Sequence, residues 1–381
     1  MGVRAILVLE DGTVVRGRGF GAPSVAVGEV VFTTGMVGYT EALTDPSYLG
    51  QILVFTYPLI GNYGVPPYEL TDRYGLPLHF ESRGIKVEGV VVHEACFEPS
   101  HWASRRSIHE WLRDEGIPGI WGVDTRRITQ RIRERGVMMG ALAVYEEGEP
   151  SVEELLKLAR GTDYGSLKLA ERVSVREPVK LESGRGRGVV ALYDCGVKAS
   201  IVRALLTRGY DVALLPYGTS AERVLDLNPV GVVFSNGPGN PSLYGEAIEC
   251  AKALIEYGYP MLGICLGHQV ISLARGARIF KLRYGHRGVN KPAVDLRTGR
   301  CYMTSQNHGY AVERESLAET GLEPWFINAD DETIEGVIDE ERGVLCVQFH
   351  PEASPGPNDT SWVFDLFSKI VEDRKRGIKR V

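Results

Sequence analysis

Gly263-Ile264-Cys265-Leu266-Gly267 sets one sulfur between two glycines, where an apolar run ends and a helical pattern begins. A strand turning sharply into a helix at that point would hold the thiol exposed and strained. The residues two before and two after such a nucleophile must be small to avoid collision, and Gly263 and Gly267 meet that need. The helix dipole favours the thiolate, the reactive form of cysteine. The Leu266 N–H would point at an oxyanion formed by attack on a carbonyl. Asn236-Gly237-Pro238-Gly239 follows another apolar run. Its glycines would let backbone approach a substrate and offer the Gly239 N–H as a second donor, although the same four residues also make a good turn. A nucleophilic cysteine needs a base. Of eight histidines, His350 stands at the end of a buried apolar run, in Gln348-Phe349-His350-Pro351-Glu352. Alternate residues of a strand share a face, and Pro351 keeps His350 out of the helical region. Glu352 can then orient the imidazole while the imidazole activates the thiol. Alone, HPE reads as a strand-end histidine beside a solvated glutamate; with the cysteine elbow on the same inferred sheet, a catalytic set of Cys265, His350 and Glu352 is favoured. No histidine spacing supports a metal, and none is expected.

The elements that must position these groups follow from periodicity. From residue 189 onward, strand and helix patterns alternate: VVALYD then KASIVRALLTRG, DVALLPY then AERVLDL, VGVVFSNGPG then LYGEAIECAKALIEYG, PMLGI then CLGHQVISLARG. Continuous apolar strands alternating with helices imply a mainly parallel sheet covered on both faces, and ligands gather at the C-terminal strand ends of such sheets. RIFKLRYGHRGVNKPAVDL and RCYMTSQNHGYAV read as antiparallel additions, GVLCVQFHPE as a last buried strand and SWVFDLFSKIVEDRKRG as a closing helix. The first half reads as a β-rich mixed domain, residues 1–175. It contains a hairpin at Asp11-Gly12, a helix over HWASRRSIHEWLRDEG with Trp102, Ile108, Trp111 and Leu112 on one face, a basic helix TRRITQRIRERG, and a third helix capped by Ser151. Residues 176–188, rich in Gly, Arg and Ser, read as a linker. GRGFG at 17–21 lies in the hairpin with no helix after it, so it is no dinucleotide motif.

The 381 residues suit two domains, and 44 % hydrophobic with 24 % charged residues is a globular balance. A formal charge of −6 argues against a general nucleic-acid binder. No apolar stretch approaches the roughly 20 residues of a membrane span, and the start is too quickly polar for a signal peptide. Met1-Gly2 lacks the Ser or Thr at position 6 of a myristoylation signal. The cysteines at 96, 195, 250, 265, 301 and 346 form neither a disulfide framework nor a zinc pattern, so a reducing cytoplasm is expected.

GICLGHQ, preceded by NGPGNP and followed by QFHPE, closely resembles the class I glutamine amidotransferase domain over about residues 189–370. GYTEALTDPSYLGQILVFTYPLIGNYG at 38–64 and TSQNHGYAV at 304–312 resemble the family of carbamoyl-phosphate synthase small subunits, so the likeness extends over essentially the whole chain. The resemblance implies glutamine hydrolysis through a glutamyl thioester, with ammonia passed to a large synthetase subunit. Cys265 would be the nucleophile, His350 the base, Glu352 its orienter, and Gly239 with Leu266 the oxyanion hole. L-Glutamine would also be held by Ser47, Gly237, Gln269, Asn307, Gly309 and Tyr310. Lys198 falls where the family carries a lysine, and its plain reading is a surface residue at a helix start. Cys195 reads as packing. The chain lacks a G-x-x-x-x-G-K-[ST] loop, so it is expected to carry no cofactor, with ATP and Mg on the large subunit of a heterodimer or higher oligomer. An amidotransferase for anthranilate or guanylate synthesis would lack the first 180 or so residues, and a non-catalytic scaffold would not need Cys265, His350 and Glu352 together.

Overall fold

The computed structural model describes residues 3–377; Met1-Gly2, on which the myristoylation reading turns, lies outside them. The chain divides into two compact units, Met1–Asp72 with Pro77–Leu167, and Arg73–Leu76 with Lys168–Val381.

The first unit is built on a closed barrel. Around it run Arg4–Leu9, Val14–Gly21, Pro118–Trp121, Gly89–Val91, Gln51–Phe55, Val25–Thr33 and Met138–Tyr145, the last pairing back to the first. Closure leaves these strands no open edge. Val31, Leu53 and Val90 of the barrel share a core with Phe80, Trp111 and Leu112. The hairpin at Asp11-Gly12 forms as expected, with Gly12 in the left-handed region (φ 88°). The helix expected from Trp102 onward covers only Ile108–Asp114. Ser107 stops it short: its hydroxyl accepts from the Glu110 N–H while Glu110 accepts from the Ser107 N–H, a capping box that sets the N-terminus there. Trp102 is left 84 % exposed.

The second unit is a ten-stranded sheet. Its parallel part runs in the order Asp211–Leu215, Val189–Tyr193, Gly231–Phe234, Met261–Ile264, Val344–Val347. Ile334–Asp339, Glu323–Asn328, Ile279–Asp295 and Cys301–Val312 extend it antiparallel. Residues of one parity, such as Tyr193, Phe234 and Cys346, enter one core beside the helices Gly245–Glu256 and Leu266–Ala274. Those of the other parity, such as Leu192, Val233 and Leu345, pack with Phe364 and Phe367 of the closing helix Trp362–Lys375. This two-sided burial is why the strands read as unbroken apolar runs.

The linker reading of 176–188 needs correction. Val179–Leu181 pairs antiparallel with Asp211–Leu215 as the tenth strand of the sheet, so part of that stretch is structure. Its three residues face solvent or are half-buried. Only Val179 and Leu181 of this short strand are apolar; Val179 is exposed and Leu181 alone packs against the core, so three residues carry too little periodicity to mark a strand.

Candidate active site

Cys265 ends the strand Met261–Ile264 and caps the helix Leu266–Ala274. Its backbone sits at φ 54°, ψ −103°, a conformation non-glycine residues seldom adopt. The amide of Cys265 donates to Val347 O at 2.8 Å, tying the elbow to the neighbouring strand. Both flanking glycines are required by space. A Cβ on Gly263 would lie 2.7 Å from Gly267 O, and one on Gly267 would lie 2.0 Å from Phe234 O. Gly237 is small for a related reason: a Cβ there would lie 2.2 Å from Cys195 O. Its smallness thus serves packing, whatever it also does for a ligand. Gly239 adopts φ 83°, open to glycine at little cost.

Asn307 and His350 reach Cys265 from two other elements. The Cys265 thiol donates to Asn307 O at 3.5 Å. His350 N donates to Ser305 O at 2.8 Å, so the strand Cys301–Val312 touches both groups. His350 Nδ1 meets Glu352 Oε1 at 2.6 Å. The route to that contact differs from the expectation of strand alternation. The strand ends at Val347, and a turn closed by Ala353 N donating to His350 O brings Glu352 back under the ring. The strand has already ended three residues before the histidine, and the turn does what alternation was expected to do.

Electrostatics set this histidine apart from His268 and His308. Burial disfavours a charged His350 and Lys198 opposes it, but Glu352 and the nearby Cys265 thiol favour it, so the ring is held above its ordinary 6.5. Burial likewise works against the Glu352 carboxylate, yet Lys198 and His350 pull it well below 4.5. By contrast, His268 is fully buried with both ring nitrogens unpaired, and burial pushes it down to about 3. His308 is also held neutral, by burial and by His286. His350 Nε2 is buried and makes no hydrogen bond of its own. A ring anchored through Nδ1 with Nε2 beside a thiol can exchange a proton with that thiol.

Lys198 is the residue whose role the sequence reading left open. It is 3 % exposed, and its Nζ donates to Glu352 Oε1 at 3.0 Å. It precedes the helix Ala199–Thr207, where a lysine ordinarily faces water. Only the small, apolar neighbours Ala199 and Ile201 hint that this helix start is buried. Cys195, as expected, is buried packing, its thiol raised by burial and by Asp194.

Gln269 spends both amide hydrogens inside the protein, on Tyr310 O at 2.8 Å and Gln348 Oε1 at 2.9 Å. Gln269, Asn307, Gly309 and Tyr310 therefore form one neighbourhood with Cys265. Ser47 belongs to the first unit, on the 3-10 turn Pro46–Tyr48, where its N–H donates to Asp45 Oδ1 at 2.9 Å.

Comparison with known proteins agrees along the chain. The profile described as carbamoyl-phosphate synthase small chain, CPSase domain, matches residues 7–142, and that of glutamine amidotransferase class-I matches 191–370. The protein called carbamoyl phosphate synthase small chain in Pyrococcus furiosus is 48 % identical over 98 % of this chain and 100 % of its own length. Its namesakes in Sulfolobus acidocaldarius and Pyrobaculum aerophilum are 47 % and 50 % identical, over 95 % and 96 % of this chain and 95 % and 99 % of their own.

Proposed function

The chain belongs to the carbamoyl phosphate synthase small chain family, a glutamine-hydrolysing subunit, and from that we propose how its residues divide the reaction. Cys265 is the nucleophile. Its proton passes to His350 Nε2, and sulfur attacks the side-chain carbonyl carbon of L-glutamine. The carbonyl oxygen becomes an oxyanion facing the N–H groups of Leu266 and Gly239, each worth about 3 kcal/mol of barrier. The C–N bond then breaks, His350 returns the proton to the departing nitrogen, and ammonia leaves a glutamyl thioester. Water gives a proton to His350 and its oxygen to the carbonyl carbon, the C–S bond breaks as His350 returns the proton to the sulfur, and glutamate departs. Glu352 holds the ring by Nδ1 throughout.

Gly237, Gln269, Asn307, Gly309 and Tyr310 hold the substrate. With its N–H groups already engaged, Gln269 contributes through its carbonyl oxygen. Ammonia goes to a large subunit that binds ATP and Mg and completes carbamoyl phosphate synthesis from bicarbonate, in a cytoplasmic heterodimer or a higher assembly of it. Among the described residues no helix is long and apolar enough to cross a membrane.

The observation that supports this reading most is the meeting of the Cys265 thiol and the His350 ring against residues 305–307. The test pairs the chain with a large subunit. Cys265→Ser should abolish glutamine-dependent carbamoyl phosphate formation and leave ammonia-dependent formation intact. Retained glutamine-dependent synthesis would remove Cys265 from the chemistry. A native chain that neither binds a synthetase subunit nor hydrolyses glutamine would favour a scaffold role.

A further inference from the structure

Three strands of the second unit bring His286, His308 and Glu335 together, all buried, with one donor atom of each within 4.8 Å of the others. The two rings stand 5.0 Å apart and nearly perpendicular, at 89°. His286 Nε2 lies 2.9 Å from Asp331 Oδ2, and His308 Nδ1 lies 2.8 Å from Tyr310 O. Carboxylate and carbonyl oxygens only accept, so those two nitrogens carry hydrogens. In the neutral rings the opposite nitrogens present lone pairs. These, His286 Nδ1 and His308 Nε2, lie 3.2 and 3.8 Å from Glu335 Oε1. His308 Nε2 also faces Gln306 Oε1 at 3.2 Å. The other carboxylate oxygen, Glu335 Oε2, is buried with no hydrogen-bond partner, on a side chain 0 % exposed. The cluster is a surplus of acceptors in a dry place, where unpaired polar atoms are costly.

We propose that His286, His308 and Glu335 form a binding site for a divalent transition-metal ion of the zinc or cobalt class. Two imidazole nitrogens and a carboxylate suit such ions. Their spacing closes around one ion with small side-chain shifts, and Gln306 Oε1 or water supplies a fourth ligand. The outer partners fit too: Asp331 on one ring and a backbone carbonyl on the other are how metal-binding imidazoles are oriented. Asn328 Nδ2, which donates to Glu335 Oε1 at 2.9 Å, passes to Oε2 when the ion arrives. Asp331, with its side chain 42 % exposed, marks the way in from solvent.

The site touches the neighbourhood of Cys265. Tyr310 O accepts from both His308 Nδ1 and Gln269 Nε2. An ion on His308 therefore stiffens the strand that carries Asn307, Gly309 and Tyr310. A second proton on His286 is the competing occupant: burial opposes it, while hydrogen bonds to Asp331 and Glu335 carry the ring up to about 9.

The experiment uses the full chain, stripped with chelator, loaded with Co²⁺ and freed of excess ion by gel filtration. One equivalent should remain, with visible ligand-field absorption and no thiolate charge-transfer band. Glu335→Gln should lose the retained ion. Asp331→Asn, at a half-exposed position that threatens folding little, should weaken Co²⁺ binding about tenfold or more. No retained ion in the native chain would overturn the proposal in favour of the proton. So would undiminished binding in folded Glu335→Gln, or a thiolate band assigning the ion to a cysteine.

Discussion

Lys198 and His350 meet Glu352 at a single oxygen, at 3.0 and 2.6 Å, with the Lys198 and Glu352 side chains 4 % and 0 % exposed. Glu352→Gln keeps the shape and removes the charge, leaving a buried ammonium without its carboxylate. At 3.0 Å and an effective dielectric constant of about 20, the attraction lost is about 5–6 kcal/mol before solvation is counted. Breaking a buried pair from one side costs about 3–5 kcal/mol, so Glu352→Gln should destabilise the protein by about 3 kcal/mol. Lys198→Met leaves Glu352 still paired with the His350 ring, and should cost less, about 1–2 kcal/mol. The double variant removes both members of the pair together. Its loss should fall short of the summed single losses by about 2 kcal/mol or more. Urea unfolding of the four proteins at neutral pH measures that coupling. Glutaminase activity, assayed alongside, should not recover in the double variant, because His350 has lost the carboxylate that orients it. Losses that add within about 0.5 kcal/mol would refute the idea that Lys198 and Glu352 act as one buried unit.

Gly267→Ala would drive a methyl to 2.0 Å from Phe234 O, a backbone atom that cannot swing aside. Thermal or urea unfolding should show a loss of about 1–3 kcal/mol or more, with glutaminase activity falling further than stability because the elbow itself must shift. The pH dependence of stability follows from the directions of the two shifts. Glu352 is held below 4.5, so its contribution is complete above that value and disappears as pH falls through the depressed one. His350 is held above 6.5, so its contribution is complete below 6.5 and disappears as pH rises through the raised value. Urea midpoints across pH should therefore decline on both sides, with Glu352→Gln flattening the acid limb and His350→Asn the alkaline one.

Much of this arrangement could be read in the residues alone. The Gly-x-Cys-x-Gly elbow was legible because its demands are local: a strand end, a helix start and two positions where a side chain has no room. The parallel sheet was legible because burial on both faces leaves apolar runs at Val189–Tyr193, Gly231–Phe234 and Met261–Ile264. His350 with Glu352 was found by a spacing argument whose geometry was a strand, and the contact is made by a turn.

Other features depended on strand order, which no local pattern encodes. Lys198 looks like a solvated helix start until the turn after His350 delivers Glu352 to it. His286, His308 and Glu335 carry no shared motif, because they lie on three different strands and meet only when the sheet is laid side by side. The edge strand Val179–Leu181 is only three residues long, too short for its alternation to stand out, and only Leu181 packs against the core. The sequence by itself determined which residues could be nucleophile and base, through steric and periodic rules acting over a few residues. The tertiary structure alone decided which charges share a buried oxygen, because desolvation and pairing energies are set by neighbours brought from distant parts of the chain.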